Sequence, residues 1–137
     1  MKCLLDTNIL SETVRVHPHL NVKKWLQESP SETLFISVLT LGEIRRGIEK
    51  LEDSKRRTRL VSWLEHDLIK WFGPNILPIS LEVAERWGYI TASTTHHSFN
   101  TIDTLLAATA LTHNLKMVTR NVKDFQIPGL EIFNPFE

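Results

Sequence analysis

Four carboxylates stand where an α/β sheet would gather them: Asp6 closing the apolar run Cys3, Leu4, Leu5; Glu43; Asp103; and Asp124. If they meet at one sheet edge they need a cation, because like charges a few ångströms apart raise one another's pKa unless a metal neutralises them. Hard oxygen ligands select Mg²⁺ or Mn²⁺, and such an ion grips a phosphodiester and activates water. Metal-assisted hydrolysis is therefore the chemistry these residue types point to. Each acid also has a simpler reading. Asp6 or Asn8 can cap a helix starting near Ile9, and for Asp6 taken alone this is the preferred account. Asp103, three after Asn100, can serve a helix N-terminus, and the sequence leaves that reading level with the ligand role.

Other chemistries find less support. No Ser, His, Asp set or Cys and His pair is organised for covalent catalysis, and no Gly-rich phosphate loop or GxGxxG is present. His96 and His97 are adjacent, lack i, i+4 spacing, and read as solvent-facing residues of a loop over 91–100. A dehalogenase-like phosphatase needs a second Asp where this chain has Asn8. A phosphoacceptor receiver needs an acidic pair and a strand-ending lysine, yet Asp6 is unpaired and Thr119 closes the candidate strand. If the acids never meet, a non-enzymatic binding module is what is left.

The elements that must position these groups follow from pattern. Residues 2–5 read as a buried parallel strand ending at a site. Leu20, Val22, Trp25 and Leu26 recur at helical spacing before Pro30. Residues 33–36 form a second strand, and Ser37 caps a helix from Val38 towards Leu51 with Leu41, Ile44, Ile48 and Leu51 inward. Glu43 lies off that stripe beside Thr40 and Gly47, and Gly47 in mid-helix invites a packing reason. A longer helix spans 54–72, stopped by Gly73 and Pro74; its Lys55, Arg56, Arg57 and Arg59, with Arg45, Arg46 and Lys50 before them, are interleaved with acids and read as a solvated face. Residues 76–79 make a third strand, and Ser80 caps a helix through Val83, Ala84, Trp87 and Ile90. Ile102 to Leu111 is an Ala-rich buried helix with Asp103 its only charge. A strand over 116–119 and a last one over 130–133 complete an α/β fold with a parallel sheet of four or five strands flanked by helices. Trp25, Trp63, Trp71 and Trp87 each sit among aliphatics and read as core.

The 137 residues, 42% hydrophobic and 23% charged, suit one domain over 1–137. Sixteen basic residues cancel 16 acidic ones, so any nucleic-acid binding needs local patches. The single cysteine, Cys3, reads as a small buried hydrophobe in a reducing compartment. The apolar start is too short for a signal peptide or a membrane span, which sets the expectation of a cytoplasmic protein without membrane contact.

Taken in order, these segments resemble PIN-domain ribonucleases, specifically VapC-type toxins of bacterial toxin–antitoxin pairs in the FitB-like branch. The carriers are Leu5-Asp6-Thr7-Asn8-Ile9-Leu10-Ser11-Glu12, the stretch from Ile36 to Gly47 around Glu43, Ile102-Asp103-Thr104 running to Ala110, and Val118-Thr119-Arg120-Asn121-Val122-Lys123-Asp124-Phe125. The resemblance implies a PIN-domain fold and a Mg²⁺-dependent endoribonuclease that leaves a 5′-phosphate and a 3′-hydroxyl, with Mn²⁺ as the substitute ion. It implies a metal held chiefly by Asp6 and Asp103, Glu43 and Asp124 completing the acidic catalytic pocket, and Thr7, Asn8, Thr119 and Asn121 supporting from behind. Asn100 departs from the proline that members often carry three before the Asp103-type residue, which touches the helix entry and not the ligands. The implied partners are an RNA substrate and a cognate antitoxin that places a basic residue in the pocket. A homodimer is expected from the resemblance and from Leu- and Trp-rich helices with more apolar surface than one small core takes up. The alternative is a non-catalytic PIN-like module acting through an antitoxin-bound complex on DNA.

Overall fold

The computed structural model describes residues 1–93 and 100–137. Five parallel strands, β1 (Cys3–Leu5), β2 (Leu34–Ser37), β3 (Ile76–Leu77), β4 (Lys116–Val118) and β5 (Ile132–Phe133), lie in the order β3-β2-β1-β4-β5. The chain walks outwards from β1 through β2 to β3, then returns to the other side of β1 for β4 and β5. That reversal leaves a crevice beyond the carboxyl ends of β1 and β4, where ligands settle in doubly wound sheets. Leu4 pairs with both Phe35 and Met117, so the central strand is buried from both sides.

Alternation along the strands builds two cores. Cys3, Leu5, Leu34, Ile36 and Val118 face one layer of helices: α1 (Thr7–Glu12), α2 (Leu20–Glu28), α3 (Val38–Glu49), α4 (Lys55–Ser62) and α5 (Ile69–Phe72). Leu4, Met117 and their neighbours face the other, made by α6 (Leu81–Ser93) and α7 (Thr101–Thr112). The four tryptophans are half-buried in these cores as expected, and Trp87 Nε1 donates to Thr104 Oγ1 at 2.9 Å. The arginines of α3 and α4 meet acids on the surface, Arg45 with Glu65 at 2.6 Å and Arg57 with Glu49 at 3.0 Å. Among the described residues no helix is long and apolar enough to cross a membrane.

Several elements differ locally from what their patterns lead one to expect. The helix expected over 54–72 is interrupted at Trp63–Leu68 by a π-helical segment. Leu64, Leu68 and Phe72 are all buried at four-residue spacing, which overshoots a 3.6-residue turn; the wider turn removes the drift and keeps the three in line. Residues 91–93, expected in a loop, continue α6, because the Thr91 and Ser93 hydroxyls bond back to Trp87 and Tyr89 carbonyls at 2.9 Å each. His96, His97 and the rest of that expected loop up to Phe99 lie outside the described residues. Strand β3 stops at Leu77, since Pro78 has no amide to continue the ladder. Gly47 has no packing reason: it is exposed, and a Cβ there would meet nothing within 4 Å.

Gly73 and Gly47 give opposite predictions. Gly73 stops α5 at φ 46° and ψ −120°, and a Cβ would meet nothing within 4 Å, so the cost of Gly73→Ala is backbone strain alone. Urea unfolding should show a loss of about 1–3 kcal/mol. Gly47→Ala should instead gain about 0.5–1 kcal/mol, the ordinary helix-interior difference.

Candidate active site

Strand β1 delivers Asp6 to the crevice, and the chain turns there into α1. The Asp6 backbone amide still donates to Val118 O at 2.9 Å, so the residue is fixed by the sheet before its side chain makes any contact. The carboxylate is 6% exposed. Its Oδ1 accepts the Thr7 amide at 2.8 Å, which makes Asp6 the N-cap of α1, and its Oδ2 accepts the Thr119 hydroxyl at 2.8 Å and Asn8 Nδ2 at 3.2 Å. Capping and a place in the site are thus held by one side chain. Burial pushes the Asp6 carboxyl up, the three hydrogen bonds from Thr119, Thr7 and Asn8 oppose it, the charge of Asp124 adds to it, and the net shift is upward.

Thr119 is the counterpart from β4. Fully buried, its hydroxyl donates to Asp6 and accepts from Asn8 Nδ2 at 3.3 Å and the Asn121 amide at 2.9 Å, which uses its one donor and both lone pairs. Asn8 closes the ring, its Oδ1 accepting the Arg120 amide at 3.2 Å. Asn121 therefore supports the site through its backbone, while its exposed side chain lines the cleft. Thr7 joins two acids: its amide serves Asp6, and its hydroxyl donates to Glu43 Oε1 at 2.9 Å. Ser37 caps α3 through the Leu39 amide, and buried Ile44 and Ile48 lock that helix with Glu43 on its half-buried side. Neighbouring Thr40 is buried, and its hydroxyl has no hydrogen-bond partner among the described residues.

Asp103 occupies the first turn of α7, but the cap is Asn100, whose Oδ1 accepts the Ile102 and Asp103 amides at 2.8 and 3.4 Å. Among the described residues nothing donates to the Asp103 carboxylate. Burial, then the charges of Asp6, Asp124 and Glu43, push its pKa up to about 6. All four acids singled out in the sequence thus act within one electrostatic neighbourhood. Asp6, Glu43 and Asp103 line an open cleft of about 420 Å³. Asp124 stands outside its wall, exposed on a 3₁₀ turn, Val122–Phe125, anchored by buried Phe125. A larger hollow of about 650 Å³ between α6 and the end of α7 contains none of the four.

Ser11, Glu12, Arg15 and Arg120 also line the cleft, though the sequence reading gave them no role. Their signal was helical spacing: Ser11 and Glu12 follow Thr7 and Asn8 by four. Glu12 is 5% exposed; burial pushes its carboxyl up, but the His19 amide at 2.8 Å and Arg15 at 3.0 Å carry it below the ordinary value.

Among the described residues no three His, Cys, Asp or Glu side chains are grouped so that they could hold a metal ion by themselves. The donors that face the cleft are carboxylates, and two carboxylates completed by water are how Mg²⁺ is ordinarily held. The donor set fits that ion and does not fit one that requires nitrogen or sulfur.

Comparison with known proteins bears on the family of the chain. The family model described as PIN domain matches residues 3–127. The chain is 32% identical to VapC ribonuclease Y4jK of Sinorhizobium fredii over 136 residues, 98% of this chain and 97% of the relative. It is similar to the crystal structure of FitAcB from Neisseria gonorrhoeae, with 33% identity, a TM-score of 0.91, and coverage of 98% of this chain and 99% of the other. A toxin-antitoxin complex from Klebsiella pneumoniae is similar at 30% identity, with a TM-score of 0.71 and 99% of each chain covered.

In the metal-free protein the raised Asp103 value has a definite sign. The folded chain holds that proton more tightly than the unfolded one, so the resulting stability is complete below the ordinary value of 3.8 and is lost as pH rises through about 6. Asp103→Asn should therefore raise the Tm of metal-free protein at pH 7 and leave it nearly unchanged at pH 4. A lower Tm for the variant at pH 7 would show that the ionised carboxylate is stabilised by its surroundings.

Proposed function

This chain belongs to the PIN-domain family, among the VapC- and FitB-type proteins, and from that we propose that it is a Mg²⁺-dependent endoribonuclease, the toxin of a toxin–antitoxin pair. The observation that carries the reading is Asp103: a half-buried carboxylate that accepts no hydrogen bond among the described residues, pushed up to about 6 partly by three other acids, at the switch point of the sheet. A group so placed gains most from a cation.

Asp6 and Asp103 would hold the ion. When bound, Mg²⁺ supplies a grip on phosphate oxygen and a water made acidic enough to attack. Thr119, Thr7 and Asn8 hold Asp6 in one orientation, and Asn100 fixes the turn that carries Asp103. Thr7 sets the rotamer of Glu43, leaving its second oxygen to orient water or accept a proton. Asp124 contributes field from the rim. No histidine is needed as a base, and the products are a 5′-phosphate and a 3′-hydroxyl. The substrate is single-stranded RNA, whose unstacked bases a cleft can receive. The partner is an antitoxin that inserts a cationic side chain among the acids; one solved neighbour is a toxin-antitoxin complex. The chain works as one domain, as a homodimer, in the cytoplasm.

Cleavage of RNA by purified protein should require Mg²⁺ or Mn²⁺ and stop in excess EDTA. Asp103→Asn should fold, lose cleavage by orders of magnitude, and no longer arrest growth when expressed without antitoxin. Cleavage undiminished in EDTA, with contaminating nuclease excluded, would sink the metal mechanism. A folded wild-type protein that cuts no RNA but binds promoter DNA with its antitoxin would favour the non-catalytic module.

A further inference from the structure

We propose that Arg120 is a phosphate-binding residue of the cleft and that Phe136, in the C-terminal tail, is its positioning residue; the proposal rests on the ribonuclease reading and extends it to how the RNA strand is seated. The cleft is walled by acids that repel a polyanion, so a strand entering it needs cationic contacts at the rim. Two arginines line that rim, Arg15 and Arg120. Arg15 is already paired with buried Glu12 at 3.0 Å. Arg120 has no carboxylate in ion-pair contact among the described residues, whereas Arg45, Arg57 and Lys116 all do.

What Arg120 has is an aromatic face. Its guanidinium carbon lies 5.1 Å from the Phe136 ring centroid. A cation over a ring face is held without using a hydrogen-bond acceptor, so its N–H donors stay available for phosphate oxygens. The arginine is also fixed at its backbone, where its amide donates to Asn8 Oδ1 at 3.2 Å. One residue is therefore tied to the acidic ring through its main chain and aimed by its side chain.

Phe136 is itself held in place. The His19 ring meets it edge-on at 5.0 Å, Asn21 Nδ2 donates to its carbonyl at 3.2 Å, and its amide donates to Asn134 Oδ1 at 2.9 Å. Just upstream, Phe133 of β5 packs on Trp25 at 5.5 Å. These contacts anchor the tail on α2 beside the cleft, so that a residue far from the acids in sequence sets the angle of a rim cation. An RNA phosphodiester next to the scissile one is the ligand this geometry takes.

The test uses the full chain and a short fluorescein-labelled single-stranded RNA of mixed sequence, bound in EDTA and cut in Mg²⁺. Arg120→Gln should weaken binding and raise KM by about tenfold, the size of a charge-assisted hydrogen bond to phosphate, with kcat little changed. The slope of log Kd against log salt should fall by about 0.7, one phosphate contact on a single strand. Phe136→Leu should raise KM severalfold, and Phe136→Tyr, which restores the ring face, should recover it. Wild-type cleavage with Arg120→Gln unchanged in KM and salt slope would overturn the phosphate site while leaving the ribonuclease reading intact. Failure of Phe136→Tyr to recover what Phe136→Leu loses, with both variants melting like wild type, would overturn the positioning role. If wild type neither binds nor cuts RNA, both readings fall. Should Phe136→Leu not fold, the surface variant Arg120→Gln still decides the phosphate contact.

Discussion

The structure turns on a carboxylate buried at the junction of two parallel strands. Asp6 sits where β1 and β4 part, 6% exposed, and an ionised group there is tolerable only with hydrogen bonds to its oxygens; the three it accepts leave one position open on Oδ1. Thr119, across the crevice, supplies one of them from its hydroxyl and in turn takes Asn8 and the Asn121 amide. The ring joins residues more than a hundred apart in sequence, so the acid is held in register only once the sheet is complete. The same ring leaves Asp103 out. One acid is satisfied by hydrogen bonds, while its neighbour accepts none among the described residues, and a cation in the cleft would relieve that inequality.

The sheet order explains why the acids converge at all. Because β2 and β4 flank β1, the segments after all three strands emerge at one edge: Asp6 and Thr7 after β1, α3 with Glu43 after β2, and Thr119 to Asp124 after β4. Asp103 arrives by a different route, at the amino end of the helix that precedes β4. Its helix must lie close against the sheet for this to work, and the small side chains Ala107, Ala108 and Ala110, each fully buried, permit that approach.

These relations were unequally legible in the sequence. Strands, helices and the caps at Ser37 and Ser80 followed from apolar period and side-chain chemistry, and the structure places both caps as read; the cap at Asn100 is a finding of the structure. Legible too was that the acids follow strands or open a helix: Asp6 at a strand end, Glu43 on the helix after the second strand, Asp103 in the first turn of a helix and Asp124 after the fourth strand. The π segment at Trp63–Leu68 was not, since a four-residue hydrophobic repeat looks like ordinary helix until its drift is followed over three turns. Nor was the choice between capping and cleft for Asp103, which depends on whether Asn100 reaches its amide. Arg120 was invisible for another reason: its aromatic partner lies sixteen positions on, in a tail with no periodic signal, and only the β5 connection brings them together.

The charge balance of the chain limits how a polyanion could reach the cleft. With 16 basic and 16 acidic residues there is no overall field to draw in a polyanion, and the cleft itself is acidic. Attraction must therefore be local and conditional. A divalent cation between Asp6 and Asp103 would cancel their two charges and offer phosphate oxygen a local positive centre, and Arg120, with no carboxylate in ion-pair contact among the described residues, would take the adjoining phosphate. Neither would be sufficient alone: without the ion the floor would repel a strand that Arg120 held, and without the rim contact the ion would grip a phosphate whose neighbours were free to swing. A competing basic side chain from a protein partner would satisfy the same acids without any metal, which is how one arrangement of charge can serve both catalysis and its inhibition.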